Sequence, residues 1–314
     1  RDYPIRIIES GPAAGVLMGG IVGKNIGERH VITFDMGGTT AKLGAVDDGT
    51  PAITPTFEVG HIRYRKGSGL PINVPAVELL EIGAGGGSIA KIEFGLIAIG
   101  PESAGADPGP ICYGKGGTQP TITDANVVLG YISGDWFNAG EMQLNIEAAR
   151  AGIHENIAKP LGLTLEQAAW GIHMVATNNM ENALRIVSVE RGRDPRAYAM
   201  VAFGGAGPLH ASRLSRGIGI PKVVIPAGAG VGSAIGLLEA EPRIDVSTTH
   251  VLKVSSEASS TIRSIFNSLE QRANEDIQRL AVAGVIKWSR YAYMRYVGQG
   301  FEVLVNLPSG IIDE

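Results

Sequence analysis

Between Val31 and Val46 the chain reads strand, glycine turn, strand: Val31-Ile32-Thr33-Phe34-Asp35, then Met36-Gly37-Gly38-Thr39-Thr40, then Ala41-Lys42-Leu43-Gly44-Ala45-Val46. Apolar runs on either side of a short Gly-Gly turn predict a β-hairpin. The turn carries more chemistry than a turn requires. Asp35 closes the first strand, Gly37 and Gly38 let backbone amides approach an anion as a nest, and Thr39 and Thr40 add two hydroxyl donors. An Asp at that place can hold Mg2+ through water, since this ion sheds its hydration shell reluctantly. The same residues also suit an ordinary Gly-Gly hairpin turn, and the hairpin alone leaves both readings open.

Two further glycine runs carry possible phosphate chemistry. Gly204-Gly205-Ala206-Gly207-Pro208 follows a buried strand over 199–203 and opens a helix, so its amides can receive a phosphate or pack against a nucleoside; tight helix–strand packing explains the same glycines. It lacks the Gly-Lys-Ser/Thr ending of a Walker loop. Gly83-Ala84-Gly85-Gly86-Gly87-Ser88 approaches a dinucleotide fingerprint, with Glu102 near the expected ribose position, but Ser stands for the third glycine. The next segment, Lys91 to Ile99, reads as a strand rather than a crossover helix. Gly228 to Ser233 is another glycine loop before an apolar helix. Asp107, Asp124, His61 and His210 are polar residues among glycines that could act as general base or metal ligand, or as turn and cap residues. No His, Cys or carboxylate spacing forms a recognisable metal motif. Cys112 reads as a small buried residue.

Composition removes several function classes. Forty-four glycines in 314 residues are about twice average usage, so many backbone sites need positive φ or close approach. A net charge of -4 gives no basic footprint for nucleic acid. One cysteine cannot form an internal disulfide, which makes the cytoplasm the default compartment. No apolar run is long enough for a membrane span, and no signal peptide is evident. The first residue is Arg1 and the last, Glu314, comes after a strand-like segment over 301–307, so both ends read as cuts.

Helical periodicity is clearest later in the chain. Ala148, Ala149, Ile153, Ile157 and Leu161 share one helical face. Thr164 and Gln167 form a capping box for a helix reaching about Arg191, with Ala168, Ile172, Val175, Asn179, Ala183, Ile186 and Val187 on its apolar face. Residues 259 to 284 predict a long amphipathic helix with Ile262, Ile265, Phe266, Leu269, Ile277 and Leu280. Paired strands come next, over 288–297 and 301–307. The segment 48–78, with His61, Arg63, Arg65 and Lys66, reads as a solvated basic excursion.

Taken together, these pieces resemble the hydantoinase A/5-oxoprolinase family. The resemblance rests on Glu9-Ser10-Gly11-Pro12-Ala13-Ala14-Gly15, Phe34 to Lys42, Glu81 to Ala90, Gly100 to Pro110, Thr121-Ile122-Thr123-Asp124-Ala125-Asn126, Glu190-Arg191-Gly192-Arg193-Asp194-Pro195, Phe203 to Ala211, and Arg295 to Gly300. It implies an α/β, actin-like ATPase fold of the kind shared with Hsp70 and sugar kinases, with nucleotide between two lobes. Residues 1–250 would form this region, with inserted loops at about 48–124, and 251–314 would lead into a C-terminal region. The family also carries a first phosphate loop, an Asp-x-Gly-Gly-Thr near its own N-terminus, and no copy of that pattern precedes the one at Asp35 to Thr39, so the chain alone is expected to bind nucleotide weakly.

The resemblance further implies ATP and Mg2+, or another divalent cation, as cofactors. Gly37, Gly38, Thr39 and Thr40 would then form the second phosphate loop, and Gly204, Gly205 and Gly207 the adenosine-side loop. Asp35, Asp124 and His210 are the candidate catalytic residues, and Asp35 and Asp107 the candidate metal ligands. The expected activity is opening of a small cyclic amide, of hydantoin or 5-oxoproline type, through phosphorylation of the carbonyl oxygen, within an oligomer that includes a hydantoinase B-type partner. A subunit of an acetone- or acetophenone-type carboxylase and a non-catalytic, partner-binding actin-like fragment are the alternatives. Many relatives read Thr-Ser-Thr-Asp after the two glycines; here Thr39-Thr40-Ala41-Lys42 stands there, a departure that bears on metal and phosphate handling and on substrate.

Overall fold

The computed structural model describes residues 9–54, 57–59, 67–72, 76–279 and 284–307. In chain order its main elements begin with helix α1 (Ser10–Asn25) and strands β1 (Val31–Met36), β2 (Ala41–Asp47), β3 (Thr50–Pro51), β4 (Leu79–Ile82), β5 (Ser88–Glu93) and β6 (Leu96–Ser103). Helices α2 (Ile122–Val128), α3 (Ile146–Ile153) and α4 (Leu165–Val187) precede strand β7 (Ala199–Phe203), helix α5 (Gly207–Ile218), strand β8 (Lys222–Val224) and helix α6 (Gly232–Glu239). The chain divides into two units, the first ending at Ala240 and the second beginning at Glu241. The second unit holds helix α7 (Ser259–Arg279) and an antiparallel pair, β9 (Arg290–Met294) and β10 (Val303–Leu307). The division falls before residue 250 because Asp245 is tied into this unit, accepting hydrogen bonds from Arg243 at 2.7 Å and from the Tyr291 hydroxyl at 2.9 Å.

The first unit is built on a six-stranded sheet in which β8, β7 and β1 run parallel, β2 returns antiparallel to β1, and β3 and β4 pair with different stretches of β2. Strand β1 is apolar almost throughout because both its faces are covered. Ile32, Phe34 and Met36 face a core shared with Met200, Ala202 and the buried sides of α2, α4 and α5. Val31 faces the opposite layer with Val201, Phe203, Val16 and Met18, and Ile235 packs against it. Asp35 belongs by alternation to this second face.

On that face α1 and α6 cross at close range, and a Cβ on Gly236 would collide with the backbone carbonyl of Ala14. At the far end of the sheet Asp47, the last residue of β2, accepts from the Arg193 guanidinium at 2.8 Å and from the Tyr198 hydroxyl at 2.5 Å. Arg191 pairs with Glu78 at 2.8 Å. The Glu190 to Pro195 motif therefore staples the start of β7 to the hairpin.

Several expectations need adjustment. The strand expected over 91–99 is a hairpin, β5 and β6, whose turn places Phe94 at φ 51° and Gly95 at φ 77°. A bulky residue in the left-handed region gives no turn signal in sequence. The Thr164–Gln167 capping box is present, with both hydrogen bonds made. Ala168, Ile172 and Ala183 are buried on α4 as expected, but the buried face also takes in His173, Thr177, Met180 and Leu184, whereas Asn179 is exposed. An apolar count discards the two polar members of that face. Regular α4 ends at Val187, and one 3-10 turn carries the chain to Arg191. The helix expected from 259 is observed to Arg279; Leu280 lies outside the described residues, as do His61, Arg63, Arg65 and Lys66.

Replacing Gly236 by Ala is expected to destabilise the fold by about 1–3 kcal/mol through overpacking at the α1–α6 crossing. The urea midpoint of the variant measures it, and an unchanged midpoint would show that the two helices have room to separate.

Candidate functional site

Three glycine runs converge where β1 and β7 end. The hairpin turn closes with Gly37 N donating to Thr40 O at 3.1 Å. The run 85–87 lies against it: Gly86 N donates to Gly37 O at 3.0 Å and Gly87 N to Gly38 O at 2.6 Å. A Cβ on Gly85 would collide with the backbone of Thr39, so only glycine permits this contact. The run at 204–207 comes from the other side, with Ala206 N donating to Met36 O at 2.9 Å. Gly204 holds φ 78°, and a Cβ there would meet Oδ1 of Asp35 at 2.5 Å.

The loops are anchored from behind. Thr123, near the start of α2, donates to Gly86 O through its amide at 2.7 Å and its hydroxyl at 2.8 Å. Ser88 Oγ accepts from Gly85 N at 2.9 Å. The turn 104–109 hangs from Gly87, with Ala104 N donating to Gly87 O at 2.8 Å. Asp107 is exposed on that turn.

One charged row crosses the sheet beside these loops. Asp35 is in register with Lys42 on β2, and Lys42 with Glu81 on β4, so carboxylate, ammonium and carboxylate alternate on one face. Lys42 Nζ donates to Thr40 Oγ1 at 2.8 Å and pairs with Glu81 at 3.1 Å. Ser233, in the first turn of α6, donates to Asp35 Oδ2 at 3.4 Å. Burial pushes the Asp35 carboxyl above its usual range, while Lys42 and the Ser233 hydroxyl pull it back. Glu9, at the N-terminus of α1, is raised by burial and by the negative charge of Glu81, against the pull of Lys42. Three carboxylates thus share one ammonium.

Asp35 alone of the three candidate catalytic residues lies at the loops. The completely buried Asp124 carboxylate accepts from Thr121 N and Oγ1, each at 2.9 Å, from Cys112 N at 2.8 Å and from Ile111 N at 3.1 Å. It closes a capping box and pins the 109–121 loop. His210 is also completely buried, stacked on His173 in the interior. The structure thus places these two in the interior, away from the glycine loops that hold Asp35. The Cys112 thiol is pushed up by burial and by Asp124, which leaves it inert. Among the described residues no group of three or more His, Cys, Asp or Glu side chains is gathered to hold a metal ion. Glu9, Glu81, Ser88 and Thr123 fall within the segments that carry the family resemblance, and Ser233 ends a glycine loop, but none is singled out by the sequence as a site residue; the register of the hairpin points to Lys42, whereas the pairing of β4 with β2 has no local signal.

The family model for hydantoinase/oxoprolinase matches residues 1–246. The chain belongs to the hydantoinase/oxoprolinase family. Relatives include an uncharacterised protein of Methanocaldococcus jannaschii, 41% identical over 97% of this chain and 45% of its own length. The caprolactamase subunit alpha of Pseudomonas jessenii is 37% identical over 100% of this chain and 44% of its own. The crystal structure of ATP-dependent caprolactamase from that organism matches with TM-score 0.72 and 35% identity, covering 95% of this chain and 42% of the other. Nucleotide-free acetone carboxylase matches with TM-score 0.73 and 26% identity, over 95% of this chain and 42% of the other. The chain therefore spans less than half the length of these family members. No described helix is long and apolar enough to cross a membrane.

Two outcomes are expected. Substituting Lys42 by Met removes the one ammonium in the row, so the pKa values of both Asp35 and Glu9 should rise further; carboxyl 13C titration measures this, and unmoved values would dissolve the row as an electrostatic unit. His173 is lowered to about 4 and His210 to about 3, both by burial first, with Arg213 adding to the effect on His173 and His173 to that on His210. Above pH 6.5 both are neutral whether the chain is folded or not. Below it the unfolded chain takes up protons that the folded chain refuses down to about 4 and about 3. Stability should therefore fall between pH 7.5 and 5.5, above the ordinary carboxylate range, as read from urea midpoints at the two pH values.

Proposed function

We propose that this chain is the nucleotide-handling part of an ATP-dependent enzyme that opens a small cyclic amide, with an actin-like fold and a hydantoinase B-type partner. The observation that carries the reading is the convergence of the 37–40, 85–87 and 204–207 runs around Asp35. Backbone amides and threonine hydroxyls are what phosphate binding needs, since catalysis of phosphoryl transfer is mostly positioning and neutralisation of charge. Gly37, Gly38, Thr39 and Thr40 would take the phosphates, and Gly204, Gly205 and Gly207 the adenosine side.

Mg2+ suits the donors present, which are hard oxygens of Asp35, Thr39 and Thr40 beside an excess of carboxylate. Asp35 would hold it through water, and when bound the ion neutralises phosphate charge. Asp107, exposed on the adjoining turn, would be the second ligand. Lys42 keeps Thr40 and Glu81 in place and limits the negative charge near the phosphates. Phosphorylation of an amide oxygen turns a poor electrophile into one that water can attack, and caprolactamase and 5-oxoprolinase 1 of Arabidopsis thaliana, the latter 30% identical over 96% of this chain, are both named for a cyclic amide. The acetone carboxylase likeness supports a second reading, in which the activated oxygen is that of a ketone enol and the acceptor is CO2.

In the complete protein, Asp35→Ala is expected to lower ATP turnover at least about 100-fold while the circular dichroism spectrum stays unchanged. Turnover within a few-fold of the parent would remove Asp35 from the reaction. Mg-ATP calorimetry should show binding that strengthens when the chain is extended to the length of its relatives. Incubation with lactams, hydantoins and ketones, with and without bicarbonate, then separates the readings: ring opening needs no bicarbonate, and carboxylation does.

A further inference from the structure

Beneath the glycine loops lies a second polar cluster that the proposed reaction does not use. It joins three helices: Asn126 on α2, His173 and Thr177 on α4, and His210 on α5, each at most 2% exposed. Asn126 stands one helical turn after Thr123, which holds Gly86, and His210 one turn after Gly207. The imidazoles of His173 and His210 stack with centroids 4.4 Å apart and planes 12° from parallel. Trp170 stacks on the outer side of His173 at 5.6 Å, the Arg213 guanidinium covers Trp170 at 4.2 Å, and Tyr131 meets His173 edge-on at 5.2 Å.

The hydrogen bonds determine both tautomers. Thr177 Oγ1 lies 2.8 Å from the His173 carbonyl oxygen, which can only accept, so the single hydroxyl proton is used there. At 3.0 Å from His210 Nδ1 the same hydroxyl must then accept, and His210 carries its proton on Nδ1. His173 Nδ1 faces Asn126 Oδ1 at 2.8 Å and likewise donates. In a neutral imidazole this leaves each Nε2 as a bare lone pair. Both Nε2 atoms, and Asn126 Nδ2, are buried with no hydrogen-bond partner among the described residues.

Two acceptors and one amide donor remain to be matched, and leaving each unmet in the interior would cost about 1–3 kcal/mol. A metal ion does not meet the need. Nearly parallel stacked rings share no plane in which one ion could reach both lone pairs, and Asn126 offers N–H rather than oxygen. An ammonium group would leave the Asn126 donor facing another donor. Water donates twice and accepts, which is the complement of this set.

We infer that the Nε2 atoms of His173 and His210 and Nδ2 of Asn126 are each met by ordered water, which completes the polar cluster joining α2, α4 and α5. The cluster is part of the wall that holds Thr123 and Gly207 at fixed separation, and it does not depend on which substrate the loops serve.

The test uses the whole chain labelled with 15N-histidine, observed by long-range 1H–15N correlation at pH 7, with a high-resolution crystal structure alongside. Two of the six histidines should show the Nδ1–H pattern alone, and water should lie within hydrogen-bond reach of each Nε2. Thr177→Val removes the acceptor from His210 without changing side-chain shape, and should move the His210 proton to Nε2 while His173 stays as it was. An Nε2–H pattern for either residue in the parent chain would overturn the inference. So would an Nε2 that is dry, bound to a metal ion, or covered by a protein group. Failure of Thr177→Val to fold leaves the parent spectrum and structure to decide.

Discussion

The two backbone hydrogen bonds from Gly86 and Gly87 to the carbonyls of Gly37 and Gly38 are the constraint around which the site is arranged. They bring two loops together without side chains between them, with the amides of Gly86 and Gly87 spent on holding the hairpin turn. Everything behind them serves to keep that distance. Thr123 grips the opposite side of Gly86, Asp124 caps the helix that carries Thr123, and the same carboxylate holds the 109–121 loop through Ile111 and Cys112. A site made of backbone is only as well placed as the elements bearing it. Here three successive shells of hydrogen bonds run from the loop to the interior.

The division of labour between the two faces of the sheet comes from strand alternation. Ile32, Phe34 and Met36 go to one core, and the alternate residues, ending in Asp35, go to the face covered by α1 and α6. A charge at the end of a buried strand is tolerable because the strand stops where the layers open. The cross-strand partner Lys42 then lies opposite Asp35 with no search for a rotamer across the sheet. The same geometry ties Glu81 and Glu9 to the nucleotide-handling reading, although they come from segments far apart in the chain.

Much of the local structure was legible in the sequence, because it rests on local signals. The hairpin with its Gly-Gly turn, the strand over 199–203, the capping box of α4 and the helix opened by Pro208 are read from residues within a few positions of one another. The position of Asp35 near the end of β1, beside the glycine turn, was legible for the same reason. The interior placement of Asp124 and His210 was not legible, because a polar side chain among glycines has the same appearance in sequence whether it is buried or exposed. The clustering of the 37–40, 85–87 and 204–207 runs depends on pairings between distant segments, and resemblance to a family suggested two of the three. The hairpin at Phe94 and Gly95 was hidden because its first turn residue, an aromatic at positive φ, is one that turn statistics disfavour.

Strand β1 has one neighbour close in sequence and one far away. It pairs with β2 across a short turn, but its other edge waits for β7, which begins at Ala199. At a synthesis rate of about 5–20 residues per second, that edge stays unpaired on the ribosome for on the order of ten seconds or longer. An apolar strand with free amides and carbonyls is an open template for another chain during that time. The staple from Arg193 to Asp47 and the pairing of Ala199 with Val31 form at nearly the same point of elongation, so the edge closes in a single late event. Protease pulses on ribosome-bound chains of increasing length would locate this event as an abrupt gain of resistance once β7 has emerged.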